Sequence, residues 1–190
     1  MLAALLQAIR VDGDWEAPAL GVWSRRDLVG HTSRSLLTVA SYLRDGPVQV
    51  EAASPVDYFV RSRAALADAD AVAARGRAAG QALGNDPAAA VALIAERVLP
   101  VVAAAGVDAY VETPVATMWL DDYLPTRTFE LVVHGCDLAT ACGLDADVPM
   151  RAAAQAGAVL VALAAHDGTV ADLLLAATGR RRLPEGFTVL

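Results

Sequence analysis

The sequence predicts an all-α fold, an antiparallel bundle of four long helices with additional short ones. Three observations carry this expectation. Hydrophobic residues make up 56% of the chain and aromatics only 5%, the excess being Ala, Leu and Val. Ala and Leu are strong helix formers, and the β-branched and aromatic runs that would support a sheet are few. Apolar stretches alternate with turn punctuation, and no two of them pair convincingly as strands. The 190 residues suit a single domain, 1–190, with a core of useful size.

Taken in order, a short helix covers about Leu2 to Arg10 and ends at Val11-Asp12-Gly13-Asp14. A loop with Pro18 and Gly21 follows. The next helix runs from Ser24 to about Arg44 and stops at Asp45-Gly46-Pro47. Ser24 is its N-cap, and Asp27 three residues on forms a variant of the capping box. A third helix spans about Pro55 to Leu83, weakened by Gly76 and Gly80, with arginines and aspartates on a partly solvated face. A fourth covers about Pro87 to Ala105 and is kinked by Pro100. Val107 to Pro125 reads as less regular. A further helix runs from about Thr126 to Cys142, ended by Gly143, and two more cover Arg151 to His166 and Val170 to Thr178. The tail LPEGFTVL is short and extended.

Charge and hydropathy exclude several classes of function. The net charge is −7 and the pI about 4.8, so an acidic surface repels phosphate backbones and no nucleic-acid partner is expected. The only basic cluster, Arg180-Arg181-Arg182, reads as complementing a helix C-terminus. Mean hydropathy is +0.42, yet the longest near-apolar run, Ala152 to Ala165, is shorter than the roughly 20 residues a membrane span needs. The N-terminus lacks a basic start and a small-residue cleavage site, so a soluble, cytoplasmic protein is expected. Cys136 and Cys142 point about 120° apart on a helix, fit a reducing compartment, and read as small packing residues.

Two places in the chain carry candidate chemistry. On the helix from Ser24, Leu28, Val29, Leu36, Val39 and Leu43 share one arc. His31 lies on its flank beside Ser35 and Tyr42; alone it reads more readily as a packing residue than as a ligand. The helix from Thr126 is apolar nearly all round, so it is expected to be buried. Glu130, His134 and Asp137 fall on one stripe of it about 60° wide. A carboxylate there costs several kcal/mol unless paired or coordinated. Glu130 and His134 satisfying each other accounts for the stripe, and so does a divalent cation taking an imidazole and a carboxylate together. A third ligand must come from another helix, and only His31 and His166 remain. His166 sits at a helix end before Asp167-Gly168, where capping is its expected role, which leaves His31.

The segments WSRRDLVGH and RTFELVVHGCDLATACG, with the ending TGRRRLPEGF, resemble the mycothiol-dependent maleylpyruvate isomerase family of the wider DinB-like superfamily. The resemblance spans essentially the whole chain. It implies a DinB-like four-helix bundle and a metal, usually zinc, with another divalent ion such as nickel as the alternative. The family's ligands, a His near the start of the second helix and a Glu and His four apart on a later one, fall on His31, Glu130 and His134. Many DinB-like relatives have His-x-x-x-His on the later helix; Glu130 in the first place points to the mycothiol branch. Family enzymes often carry a further C-terminal α/β domain that helps form the substrate pocket. The sequence ends at Leu190, so maleylpyruvate isomerisation itself is not expected.

The implied activity is that of a metal-dependent transferase or isomerase in which the metal activates a thiol, mycothiol, against a small electrophile. Two alternatives stand beside it: a non-catalytic metal-binding helical module, and a DinB-like hydrolase using bound water. Asp137 reads either as orienting a ligand or as a solvated or capping residue. Arg127, one turn before Glu130, reads as an ion-paired surface residue or as a contact for a substrate carboxylate. A homodimer is plausible for so apolar a bundle, although no interface motif is visible.

Overall fold

The computed structural model describes residues 3, 6–7, 9–10, 13–46, 48–65 and 68–190. Of the first expected helix, residues 3, 6–7 and 9–10 are helical, while Leu2, Ala4, Leu5 and Ala8 lie outside the described residues, as do Val11, Asp12 and Pro47 at the turns that follow. Seven further helices follow among the described residues: α1 (Arg25–Tyr42), α2 (Pro55–Ala65), α3 (Ala69–Ala82), α4 (Pro87–Ala104), α5 (Leu120–Ala141), α6 (Met150–His166) and α7 (Val170–Ala177). The fold is mostly α and DinB-like, as the sequence predicts. Helix α1 packs against α3, α4 and α5, and α5 packs in turn against α2 and α6.

Local chemistry sets these boundaries. The Ser24 side chain accepts from the Asp27 N–H while the Asp27 carboxylate accepts from the Ser24 N–H, so the capping box starts α1 where expected. Asp68 and Asp86 cap α3 and α4 by accepting from the N–H groups of Ala71 and Ala89. Helix α4 continues through Pro100. Among the described residues it is the one helix long and apolar enough to cross a membrane by length and composition; it lies on α1, burying Val91 and Val98.

Three expectations need correction. The helix expected over Pro55 to Leu83 is two, α2 and α3, separated at residues 66–68, of which Leu66 and Ala67 lie outside the described residues. Helix α3 runs unbroken through Gly76 and Gly80, which let it approach α1 closely. A Cβ on Gly76 would meet the Trp23 indole at 2.6 Å, and one on Gly80 would meet the Arg26 carbonyl oxygen at 2.9 Å. The stretch expected to be irregular holds a hairpin and the first turns of α5, which begins at Leu120 and passes through Pro125.

The chain also carries two small antiparallel sheets. One joins β1 (Pro18–Leu20) to β2 (Trp23–Ser24); the other runs β3 (Leu43–Arg44), β4 (Tyr110–Glu112), β5 (Thr117–Trp119) in that spatial order. Val111 pairs with Met118, and both are fully buried, while their neighbours Glu112 and Trp119 are exposed. That two-residue alternation is the strand period. Thr113 closes the hairpin, its hydroxyl accepting from the Ala116 N–H and donating to the Ala116 carbonyl.

Two apolar clusters fill the interior. One gathers Tyr58, Phe59, Val111, Met118, Tyr123 and Phe129 with Leu163 of α6. The other joins Leu6 and Ile9 to Trp15, Trp23, Leu28, Val29 and Leu138. Of the arginine cluster, Arg181 forms an ion pair with Asp172 of α7.

Candidate metal centre

Helices α1 and α5 lie side by side, and this contact brings the candidate ligands together. His31 stands in the second turn of α1, and Glu130 and His134 stand on adjacent turns of α5. One donor atom from each of the three lies within 4.8 Å of the other two, and all three residues are half-buried. The His31 and His134 rings meet edge to face, with centroids 5.0 Å apart. His134 Nε2 lies 3.2 Å from Glu130 Oε2. His166, by contrast, ends α6 and turns its Nδ1 to Asp167 Oδ1 at 2.8 Å, a side-chain contact in place of the expected cap on the helix backbone.

The surroundings orient each ring. Asp137 Oδ2 sits 3.1 Å from His134 Nδ1, so this carboxylate holds one ring nitrogen and leaves the other directed at Glu130. The sequence left Asp137 open between orienting and capping; the structure puts it on the ring. The Trp23 indole lies against His31, with centroids 4.5 Å apart, and is itself tied by a hydrogen bond from its Nε1 to the Ala73 carbonyl. Trp23 belongs to the motif that led to His31, yet spacing alone gave it no role: the residues are eight apart, and only the turn from β2 into α1 folds one onto the other.

The electrostatics are uneven across the three groups. Burial above all, and then the neighbouring His134, push the His31 pKa down to about 4, against the pull of Glu130. Burial drives the Glu130 carboxyl up, but its hydrogen bond with His134, and Arg127 nearby, outweigh this and hold it below the usual value. Burial also opposes protonation of His134, yet its bonds to Asp137 and Glu130 prevail and raise it to about 9. His31 is therefore a neutral imidazole at physiological pH, and its Nδ1 is buried with no hydrogen-bond partner. Two imidazoles and a carboxylate are donors suited to a divalent cation, and an orphaned buried nitrogen beside them fits such a group.

A cavity of about 570 Å³ opens beside these residues, with His31 and Glu130 in its wall. Arg127 also lines it, but not as an ion-paired surface residue. Its guanidinium lies 4.7 Å from the Tyr123 ring centroid and 5.2 Å from that of Tyr58, and its Nε donates to Thr126 Oγ1. Tyr123 is fully buried, and its hydroxyl bonds Thr38 Oγ1 at 3.2 Å. Arg34 and Arg75 complete the basic part of the wall. The sequence reading placed these arginines on a partly solvated face; Arg77 is exposed there, whereas Arg75 is half-buried and lines this cavity.

A helical bundle whose facing helices bring two histidines and a glutamate together, His31 and Glu130 of them in the wall of a side cavity, offers a possible metal site on a DinB-like fold. Comparison with known families agrees: the model of the mycothiol maleylpyruvate isomerase N-terminal domain matches residues 1–139, a stretch that contains His31, Glu130 and His134. The chain belongs to that family. No curated protein and no solved structure matches it.

Proposed function

We propose that the chain is a metal-dependent enzyme of thiol chemistry, a mycothiol-using transferase or isomerase acting on a small electrophile. His31, Glu130 and His134 would hold the metal, zinc by its donor set. The carrying observation is the gathering of these three donors, with His31 and Glu130 in the wall of an open cavity and the acidic neighbour Asp137 engaged on His134. Three protein ligands and an accessible side are the pattern of a reactive zinc site, whereas structural sites are closed by four. This favours an enzyme over a metal-binding module.

A divalent cation bound there would supply Lewis acidity, lowering the pKa of a coordinated thiol toward neutrality. The chain's own contribution is positional. Asp137 fixes the His134 ring, and Trp23 fixes that of His31. The half-buried setting strengthens these polar contacts relative to water. The aromatic wall of Tyr58, Phe59 and Tyr123 excludes water from one side of the cavity.

The test begins with metal analysis of protein purified without chelator. Near-stoichiometric zinc, lost in His31→Ala with the helical content intact, is expected; a metal-free, fully folded protein defeats the reading. Conjugation of a test electrophile is then compared with mycothiol and with water alone. Turnover that needs the thiol supports a transferase or isomerase. Turnover with water alone makes the protein a hydrolase.

A further inference from the structure

Helix α4 joins an apolar sequence to little burial. Of its 18 residues only Pro87, Val91 and Val98 are buried, all on one face. An apolar core helix would be covered on most sides; this one is covered on one, where it lies on α1. The opposite face carries Ala89, Leu93, Glu96, Arg97, Pro100 and Ala104, and all six are exposed. Leu93 and Leu99 are 64% and 58% exposed. A continuous apolar strip of this kind marks an interaction surface.

The charges on the strip say what covers it. Glu96 and Arg97 are the only charged residues of α4, and they stand at the centre of its exposed face. Neighbours in sequence do not face each other on a helix. Among the described residues neither of the two forms an ion pair. A second copy laid antiparallel across the face, on a twofold axis between positions 96 and 97, satisfies both at once: Glu96 of each copy meets Arg97 of the other. The same axis sets Leu93 against Pro100, Ala92 against Val101 and Ala89 against Ala104, and every one of these residues is exposed. Small residues at both ends let the two backbones reach the spacing of packed helices. The antiparallel arrangement also brings opposite ends of the helix dipoles together.

This register covers a second feature. A groove of about 410 Å³ runs beside the N-terminal half of α4, with Leu6, Leu36, Val91 and Ala92 in its wall. Val101 of the other copy, set opposite Ala92, comes to lie over its open side. A lipid surface suits the face less well. A helix lying on a membrane keeps its charges on a polar face away from the apolar one, whereas Glu96 and Arg97 interrupt the middle of the strip.

We propose that the exposed face of α4 is a homodimer interface, in which two copies pack antiparallel about a twofold axis at Glu96 and Arg97. Such an interface is self-complementary and closes at two copies. The 18 residues of α4 make a strip about 27 Å long and, one helix wide, about 270 Å² in projection. A standard interface covers about 800 Å² per partner, so this dimer is weak and reversible.

The test is sedimentation velocity of the full chain from about 1 to 300 μM, where a weak dimer changes population. The parent is expected to pass from monomer to dimer within that range. Glu96→Arg sets like charges against each other and should weaken the dimer at least tenfold. The double reversal Glu96→Arg with Arg97→Glu restores opposite pairs and should return the parent behaviour. Leu93→Asp should weaken the dimer by a similar factor. All these positions are exposed, so circular dichroism melts of the variants should match the parent. A parent that stays monomeric throughout overturns the proposal; if that monomer then sediments with vesicles of phosphatidylcholine and phosphatidylglycerol, the face belongs to a lipid surface. A dimer untouched by both Glu96→Arg and Leu93→Asp lies elsewhere on the molecule and overturns it too. A double reversal as weak as Glu96→Arg alone overturns the antiparallel pairing. None of these readouts involves a metal, so the outcome is separate from the reading of the His31 site.

Discussion

Replacing Gly30 by alanine should damage the fold more than its small size suggests. Gly30 lies on α1 where α3 crosses, and its neighbour there is the backbone of Gly80. An added Cβ would sit 2.1 Å from the Gly80 nitrogen and 2.4 Å from its Cα. Ordinary contact begins at about 3.4 Å, so the two helices must part by more than an ångström. Neither partner is a flexible side chain that can turn aside. Overpacking a core costs about 1–3 kcal/mol, and backbone against backbone belongs at the upper end. The gain in helix propensity from Gly to Ala, about 1 kcal/mol, is too small to offset that. At about 2–4 °C per kcal/mol for a chain of this length, a net 2 kcal/mol lowers Tm by about 4–8 °C. Gly157→Ala on α6 is the matched control: nothing lies within 4 Å of its Cβ position, so the propensity term acts alone and Tm should rise by about 2–4 °C. Far-UV circular dichroism melts of the three proteins measure both. A Gly30→Ala protein that melts at or above the parent temperature refutes the close-crossing argument.

Two other outcomes follow from the ligand geometry. Asp137→Asn replaces the carboxylate on His134 Nδ1 with a neutral amide, and zinc affinity should fall about 10–100-fold; competition with a chromophoric chelator reads this, and an unchanged affinity would show that Asp137 does not support the ring. In the metal-free protein the His134 pKa is raised from 6.5 to about 9, so its stabilising contribution is complete below pH 6.5 and is lost as pH rises through 9. Zinc binding near neutral pH must displace that proton. Calorimetry in buffers of differing ionisation enthalpy should report about one proton released per zinc, and zinc should remove the alkaline decline in Tm; zinc uptake with no proton release would show that His134 is neutral before the metal arrives.

The sequence revealed the fold class because helix ends are written locally. Ser24 with Asp27, and Asp86 before Pro87, satisfy backbone N–H groups within a few residues, and such signals need no knowledge of the rest of the molecule. The errors arose where a residue's meaning depended on a distant partner. Gly76 and Gly80 look like helix weaknesses in sequence and are contact points in space, opposite Trp23 and the first turn of α1. The hairpin over residues 110–119 was missed because each strand has three residues, too few for alternation to register, and because Val111 and Met118 acquire significance only once paired.

The same distinction runs through the candidate site. Glu130, His134 and Asp137 were visible as a stripe because a helix places residues four and three apart on neighbouring turns. His31 could be chosen by elimination, but nothing local said that α1 would lie against α5. What assembles the site is the pair of packing contacts on either face of α1. On one side α5 delivers Glu130 and His134. On the other, the glycines of α3 let its backbone come close enough for Gly76 to press on Trp23 and for Trp23 to lie on His31. Arg75, on the same helix, lines the cavity. The glycines at the α1–α3 crossing therefore link stability to chemistry: Gly30→Ala, by forcing α3 outward, should weaken zinc binding as well as lower Tm.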